Sequence, residues 1–261
     1  MFRFFRILRK KLLEDGYLNK YFWYAIGEVI LVVIGILIAL QINNWNVERQ
    51  VRNEEITYLK NLKADLQKDI QLLNDNIDYT TDNVESTARL TTMSEQGEVE
   101  DLYAFIDDIL IVMLSMNFTP NQNTFQEMRS SGKLSIISNE MIKQRLLELD
   151  EQYIRIEGGE SHVKREYEIY LWDEFVNVIS WRDYYDLDEL RTTTEIIVDR
   201  NYVEAYKEEL RDQAEEILAN KRFQNGLYLY EFNYRFIRTQ FEGAINSINQ
   251  LIELIDEEIA N

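Results

Sequence analysis

The chain has 261 residues, with 28 Lys and Arg against 47 Asp and Glu, a formal net charge of −19, one His, one Pro and no Cys. The absence of Cys excludes disulfides, thiolate catalysis and thiolate metal sites, and the lone His162 excludes a His pair for zinc. The acidic excess argues against DNA, RNA or anionic lipid as partner of the main body, because those partners need clustered Lys and Arg.

Few helix breakers and abundant Leu, Ile, Glu and Lys predict an all-α fold. Three parts are expected. They are a basic segment over 1–20, a transmembrane helix over 21–45, and an extracytoplasmic, elongated helical bundle over 46–261. Residues 1–13, MFRFFRILRKKLL, place Phe5, Leu8 and Leu12 on one helical face and Arg3, Arg6 and Lys10 on the other. That pattern suits either an amphipathic helix on an anionic leaflet or a tail that only sets orientation.

Tyr21 to Ile42 follows, 22 residues with Glu28 as the only charge. A membrane-crossing helix needs about 20 apolar residues. Tyr21, Trp23, Tyr24 and Trp45 flank the run as interfacial aromatics do. No A-x-A pattern marks a signal-peptide cleavage site, so an uncleaved anchor is expected. Six basic residues precede it within 1–20, against Arg49, Arg52, Lys60 and Lys63 mixed with acids beyond it. The positive-inside rule then puts the N-terminus in the cytoplasm and the body in the periplasm, on an inner-membrane, single-pass reading. Charge follows the same division: residues 1–42 carry six basic and three acidic side chains, the remainder 22 and 44.

Within the anchor, Glu28 is a membrane-embedded acid and so a candidate functional residue. Gly27, Gly35 and Ala39 are candidates for helix association, Gly35-x-x-x-Ala39 having the small-xxx-small spacing. No breaker follows until Gly97, and Ile56, Leu59, Leu62, Leu66, Ile70, Leu73 and Ile77 step by three and four. One continuous helix from Tyr21 to about Gln96 is predicted, on the order of 110 Å long. The stripe is close to coiled-coil spacing and turns polar at Thr80, Thr81, Asp82 and Asn83.

Gly97 reads as a C-cap, and a second helix is expected over 101–114. Thr119-Pro120-Asn121-Gln122 reads as a capped helix start, with Thr as cap and Gln closing a capping box. That helix should stop near Ser131, before Gly132. Asn139 caps the next, whose apolar register crosses Gly158-Gly159 from Ile142 to Val178 and predicts one kinked helix. Trp181 to Leu190 reads as irregular, with helix starts at Thr192 or Asp199 and helix continuing to about Asn220. The stripe Tyr230, Tyr234, Ile237, Phe241, Ile245, Ile248, Ile252, Ile255 and Ile259 predicts a closing helix antiparallel to the 56–77 stripe.

Catalytic signals are weak. Ser130-Ser131-Gly132-Lys133 contains S-x-x-K without its companion motifs, and Gly132-Lys133 lacks the rest of a phosphate loop. Paired acids such as Asp107-Asp108 and Glu215-Glu216 read as solvated helix faces. Trp172, Trp181, Tyr184, Tyr185, Tyr228, Tyr230, Phe232 and Tyr234 suit a core or a sugar- or peptide-binding surface. No catalytic residue, metal ligand or cofactor is assigned.

The stretch Lys20–Asn46, the KKLL at Lys10–Leu13, EEITYLKNLKADL at Glu54–Leu66 and FQEMRSSGKLSIISNEMIKQRLLELDEQY at Phe125–Tyr153 carry a resemblance. The chain resembles a domain-of-unknown-function family of single-pass inner-membrane proteins from Gram-negative bacteria. The resemblance implies a periplasmic helical domain and no particular activity. It marks Arg129, Ser130, Ser131 and Gly132 as either a shared site or a packing corner. The expected function is non-enzymatic association in the cell envelope, with the lipid bilayer and a second copy or another envelope protein as partners and no nucleic acid. The alternative is a sensor-like, ligand-binding bundle that signals through a partner. A hydrolase using carboxylates or the Ser130 turn ranks last.

Overall fold

The computed structural model describes residues 18–114, 117–178, 198 and 200–260, with side chains from Phe22 onward. The readings of residues 1–13 and 181–197, of the Asp199 helix start, and of Trp181, Tyr184 and Tyr185 lie outside the described residues. The described chain is helical, with no β-strand among the described residues. The elements are α1 (Leu18–Gln96), α2 (Leu102–Met113), α3 (Asn123–Ser131), a 3₁₀ turn (Lys133–Ile136), α4 (Glu140–Tyr167), a π-helical turn (Glu168–Trp172), α5 (Asp173–Val178), α6 (Arg200–Ala205), α7 (Lys207–Ala219) and α8 (Lys221–Ala260). The continuous first helix expected to about Gln96 is therefore present. It ends where Gly97 takes φ +74° and its N–H reaches Met93 O at 3.0 Å.

The chain divides into two compact units, Met1–Tyr58 and Leu59–Asn261. In the first, α1 is long and apolar enough to cross a membrane, and none of its apolar window is buried. The run is thus a candidate membrane span that the rest of the chain leaves uncovered. Val29, Leu31, Ile36, Leu37 and Leu40 all stand open. A face apolar all round matches a lipid solvent rather than water.

The second unit is organised by heptad-like seams on α1, α4 and α8. Along α1 a buried seam runs through Leu59, Leu62, Leu66, Asp69, Leu73, Asn76, Thr80, Asn83, Thr87 and Leu90, alternating steps of three and four, with Ser86 buried beside it. Along α8 the buried positions are Phe223, Gly226, Leu227, Tyr230, Tyr234, Ile237, Phe241, Ala244, Ile248, Leu251 and Ile255. The predicted stripe was off here by one residue in places: Ile245, Ile252 and Ile259 are half-buried, and Ala244 and Leu251 hold the seam. A 3.5-residue repeat keeps one narrow face toward its neighbours, which is why alternating steps rather than a fixed step mark the seam.

The predicted antiparallel pairing of α1 and α8 is present. Lys63 pairs with Asp256 at 2.6 Å, the Tyr79 and Tyr234 rings meet at 6.2 Å, and Tyr228 reaches Glu95 at 2.8 Å. Numbers rise on one helix as they fall on the other. α8 also runs antiparallel to α4, through Asn139–Glu258 (3.1 Å) at one end and Asn233–Glu166 (2.5 Å) at the other.

Local signals explain most helix ends. Asp101 Oδ1 accepts from the Tyr103 and Ala104 N–H groups, and Asn139 Oδ1 from Met141 and Ile142. Asn220 Oδ1 caps α8 through Arg222 N at 2.8 Å. The expected capping box at Thr119–Gln122 is not used. α3 begins at Asn123, with no side-chain cap from Gln122. Its first turn is satisfied from another helix, as described below.

The Gly158-Gly159 pair lies inside the unbroken α4, and the helix changes character only at the π-helical turn. Gly158 is exposed, and a Cβ there meets nothing within 4 Å. Gly158→Ala should therefore stabilise the fold by about 0.5–1 kcal/mol through helix propensity alone. A thermal melt of the full chain in mild detergent reads this as a rise in Tm.

Candidate functional site

The α1 seam carries side chains that hydrophobic burial does not favour. Asp69, Asn76, Thr80, Asn83, Ser86 and Thr87 are all at most 2% exposed. Most spend their donors on their own helix. Asn76 Nδ2 donates to Leu72 O (2.8 Å), Thr80 Oγ1 to Ile77 O (2.8 Å), Asn83 Nδ2 to Tyr79 O (2.9 Å) and Thr87 Oγ1 to Asn83 O (2.6 Å). Back-bonding of this kind buries a polar side chain without an orphaned donor. It explains why the helix continues through the polar stretch at Thr80–Asn83. It also leaves Asn83 Oδ1 free to accept from the Tyr230 hydroxyl at 3.1 Å.

Asp65 and Asp69, one turn apart on α1, receive the segment before α3. Asp69 Oδ1 accepts from Asn121 N (2.6 Å) and its Oδ2 from the Tyr153 hydroxyl of α4 (2.7 Å). Asp65 accepts from Asn121 Nδ2 and Thr124 N, both at 3.0 Å. The Thr124 contact caps α3 in the sense that a local Asp would, but across helices. Burial raises the Asp69 pKa and nearby Asp65 adds to it, while the Asn121 and Tyr153 donors oppose. The Tyr153 hydroxyl is pushed up by burial and by Asp69 beside it.

A tyrosine cluster lies further along the same core. The Tyr230 hydroxyl is 2.9 Å from Val112 O and 3.2 Å from the Tyr234 hydroxyl, and their rings are 4.5 Å apart. The Tyr79 hydroxyl donates to Leu114 O. Tyr167 meets Tyr230 at 5.9 Å between rings. Burial raises the pKa of both Tyr230 and Tyr234. These phenols are neutral hydrogen-bonding groups, not bases, at neutral pH.

Glu160 faces this cluster. α4 is buried at Ile142, Leu146, Leu149, Tyr153, Ile156 and Val163, so 160 is the seam position between the last two. An acid occupies a core place. Its Oε1 accepts from Phe118 N at 2.8 Å. Burial, then Glu157, push its pKa up to about 7 against the Phe118 donor. Two adjoining cavities share Glu160 as a wall. The inner one, ≈ 70 Å³, is lined by Tyr167, Tyr230, Tyr234, Ile237 and Phe241. The outer, ≈ 540 Å³, is lined by Asp150, Tyr153, Glu157, Ser161 and Lys164.

The raised Glu160 pKa has a signed consequence. The folded state holds the proton more tightly than the unfolded chain, whose carboxyl titrates at about 4.5. Its contribution is present below pH 4.5 and is lost as pH rises through about 7. The group is only partly buried, so a full shift is discounted to roughly 1–2 kcal/mol. Glu160→Gln keeps an acceptor for Phe118 N and removes the titration. Denaturation midpoints between pH 5 and 8 should fall with pH in the parent and less steeply in the variant.

The predicted site residues are not brought together. Glu28, Gly27, Gly35 and Ala39 stand exposed in the first unit, and a Cβ at either glycine meets nothing within 4 Å. Arg129 pairs with Asp150 at 2.9 Å. The Ser130 and Ser131 hydroxyls donate to Glu127 O at 3.1 and 2.7 Å, and Gly132 takes φ +74°. That is a helix-ending corner with its hydroxyls turned to the backbone, which fits the packing alternative. His162 is exposed beside Glu166 (3.3 Å). The aromatic set divides: Tyr230 and Tyr234 are core, whereas Trp172, Tyr228 and Phe232 are exposed. Among the described residues no group of three His, Cys, Asp or Glu could hold a metal. The missed residues are Asp65, Asp69 and Glu160. For Asp69 and Glu160 the signal was an acid at a heptad core position, readable once the seams were extended through polar residues; Asp65 lies one turn before Asp69, beside the seam.

The chain belongs to a family of unknown function (DUF6090), whose model matches residues 28–214. The match takes in the apolar part of α1 from Glu28, the Asp65–Asp69 pair and Glu160. Neither the curated proteins nor the solved structures contain a significant match to the chain.

Proposed function

We propose that this member of the family is a membrane-anchored helical protein of the cell envelope that works by association and not by catalysis. The anchor is α1 from Tyr21 to Trp45, in the inner membrane, with the basic N-terminus cytoplasmic and the helical unit periplasmic. The observation that carries the reading is the unburied face of the anchor. Its small residues Gly35 and Ala39 stand exposed, a Cβ at Gly35 would meet nothing within 4 Å, and the two sit at the spacing at which membrane helices approach closely. Glu28 adds a polar group that a partner helix or the interface must satisfy. A second copy or another envelope protein suits that face, with the bilayer around it. Cross-linking in native membranes with mass spectrometry tests this. Intermolecular links at the anchor, weakened by Gly35→Leu, are expected. A chain that cross-links to nothing, with Gly35→Leu indistinguishable from the parent, overturns the reading.

A second reading is favoured by one observation, the paired cavities at Glu160. They support a periplasmic ligand-binding bundle that signals through a partner.

A further inference from the structure

We propose that the paired cavities bind a small primary amine with an unbranched apolar tail, the tail in the inner cavity and the ammonium group at Glu160. The inference rests on the ligand-binding reading above and names the class of ligand.

Shape sets the tail. The inner cavity, ≈ 70 Å³, is walled mainly by Tyr167, Tyr230, Tyr234, Val163, Ile237 and Phe241, with Lys164 and Glu168 also in its lining. Apolar walls of this kind favour methylenes, and a narrow volume admits a chain more readily than a fused ring. The outer cavity, ≈ 540 Å³, is wider and polar. The junction between the two is where a ligand's head group must sit.

Charge sets the head. The titratable groups that line the outer cavity are Asp150, Tyr153, Glu157, Glu160 and Lys164. Three are carboxylates and one is cationic; the cation, Lys164, lines the inner cavity too, together with a further carboxylate, Glu168. Asp150 is committed to Arg129 at 2.9 Å. Glu160 has one polar partner, the Phe118 N–H, and among the described residues no Lys or Arg lies within ion-pair distance of it. A second carboxylate, Glu157, bears on it from the same helix, and Tyr234 lies on the inner side. A partly buried acid at a seam position, with spare lone pairs and no counter-cation, lacks what a ligand ammonium supplies. That ammonium donates up to three hydrogen bonds, to Glu160 and to the tyrosine hydroxyls around it. A ligand carboxylate in the same place meets like charge, and an alcohol gains only a neutral hydrogen bond.

The full chain in mild detergent, titrated at pH 7.5 with n-hexylamine, 1-hexanol and hexanoate, tests the assignment by calorimetry. The amine is expected to bind about tenfold tighter than the other two, as one charge-assisted hydrogen bond allows. In Glu160→Gln the amine's advantage should vanish while 1-hexanol binding is kept, which also shows that the variant is folded. Equal binding of amine and alcohol, or an amine preference that survives Glu160→Gln, overturns the amine assignment and leaves the ligand-binding reading standing. No binding of any of the three overturns both.

Discussion

Asp69→Ala should lower the stability of the helical unit by about 2–4 kcal/mol, among the largest effects of a single side chain outside the apolar core. The carboxylate is fully buried and serves two donors on two different elements, the Asn121 N–H at 2.6 Å and the Tyr153 hydroxyl at 2.7 Å. Alanine leaves both donors without their buried acceptor, at about 1–3 kcal/mol each. Asp69→Asn keeps the shape and one acceptor, and should cost less. Tyr153→Phe removes one of the orphaned donors, so Asp69→Ala combined with Tyr153→Phe should be less destabilised than the two single changes sum to. Denaturant melts of the four proteins in mild detergent form the cycle. Additive losses would show that Asp69 and Tyr153 do not act on one another.

That result depends on a feature that sequence patterning handled unevenly. The helices themselves were legible because helix signals are local. Gly97 and Gly132 end helices in the left-handed conformation, and Asp101 and Asn139 cap them through their own backbone neighbours. The α1–α8 pairing was legible too, since two long stripes of matching length need one another. The Thr119–Gln122 start was misread because Asp65 and Asp69, more than fifty residues upstream, satisfy that turn instead. Nothing in a local window distinguishes the two. The site was missed for a different reason. Reading a core as a row of apolar residues stops at the first polar one, but the 3.5-residue repeat of α1 runs on through Asn76, Thr80, Asn83 and Thr87 to Leu90. Polar residues at such positions fix register at a cost in stability. In α4 the same count lands on Glu160, an acid between the buried Ile156 and Val163.

Gly226→Ala should cost about 1–3 kcal/mol, although alanine is the better helix former. Gly226 is buried in α8 against the π-helical turn. A Cβ there lies 2.8 Å from Tyr170 Cβ, 2.8 Å from Leu171 Cδ2 and 3.1 Å from Tyr170 O. Tyr170 Cβ and O are set by the backbone and do not rotate away, so α8 must separate from the turn. That turn is held by the same helix, since Arg222 donates to Ile169 O at 2.8 Å and pairs with Glu174 at 2.7 Å. A π-helical turn disturbs the regular carbonyl pattern, and a side-chain donor from a neighbour is one way to satisfy it. Gly159 supplies the comparison. A Cβ there comes within 2.6 Å of a single atom, Ile237 Cδ1, the far end of a flexible side chain. Rotation of Ile237 relieves that contact, and helix propensity offsets the remaining cost, so Gly159→Ala should shift Tm by far less. The two glycines flank the tyrosine cluster on the α4–α8 seam. If the seam holds Tyr167, Tyr230 and Tyr234 in place, Gly226→Ala should also weaken the near-ultraviolet circular dichroism of the tyrosines at temperatures below its melt, and Gly159→Ala should leave it intact. Equal effects of the two substitutions on both readouts would mean that α8 is free to slide on the π-helical turn, and that the close approach at Gly226 does not set the geometry of the cleft.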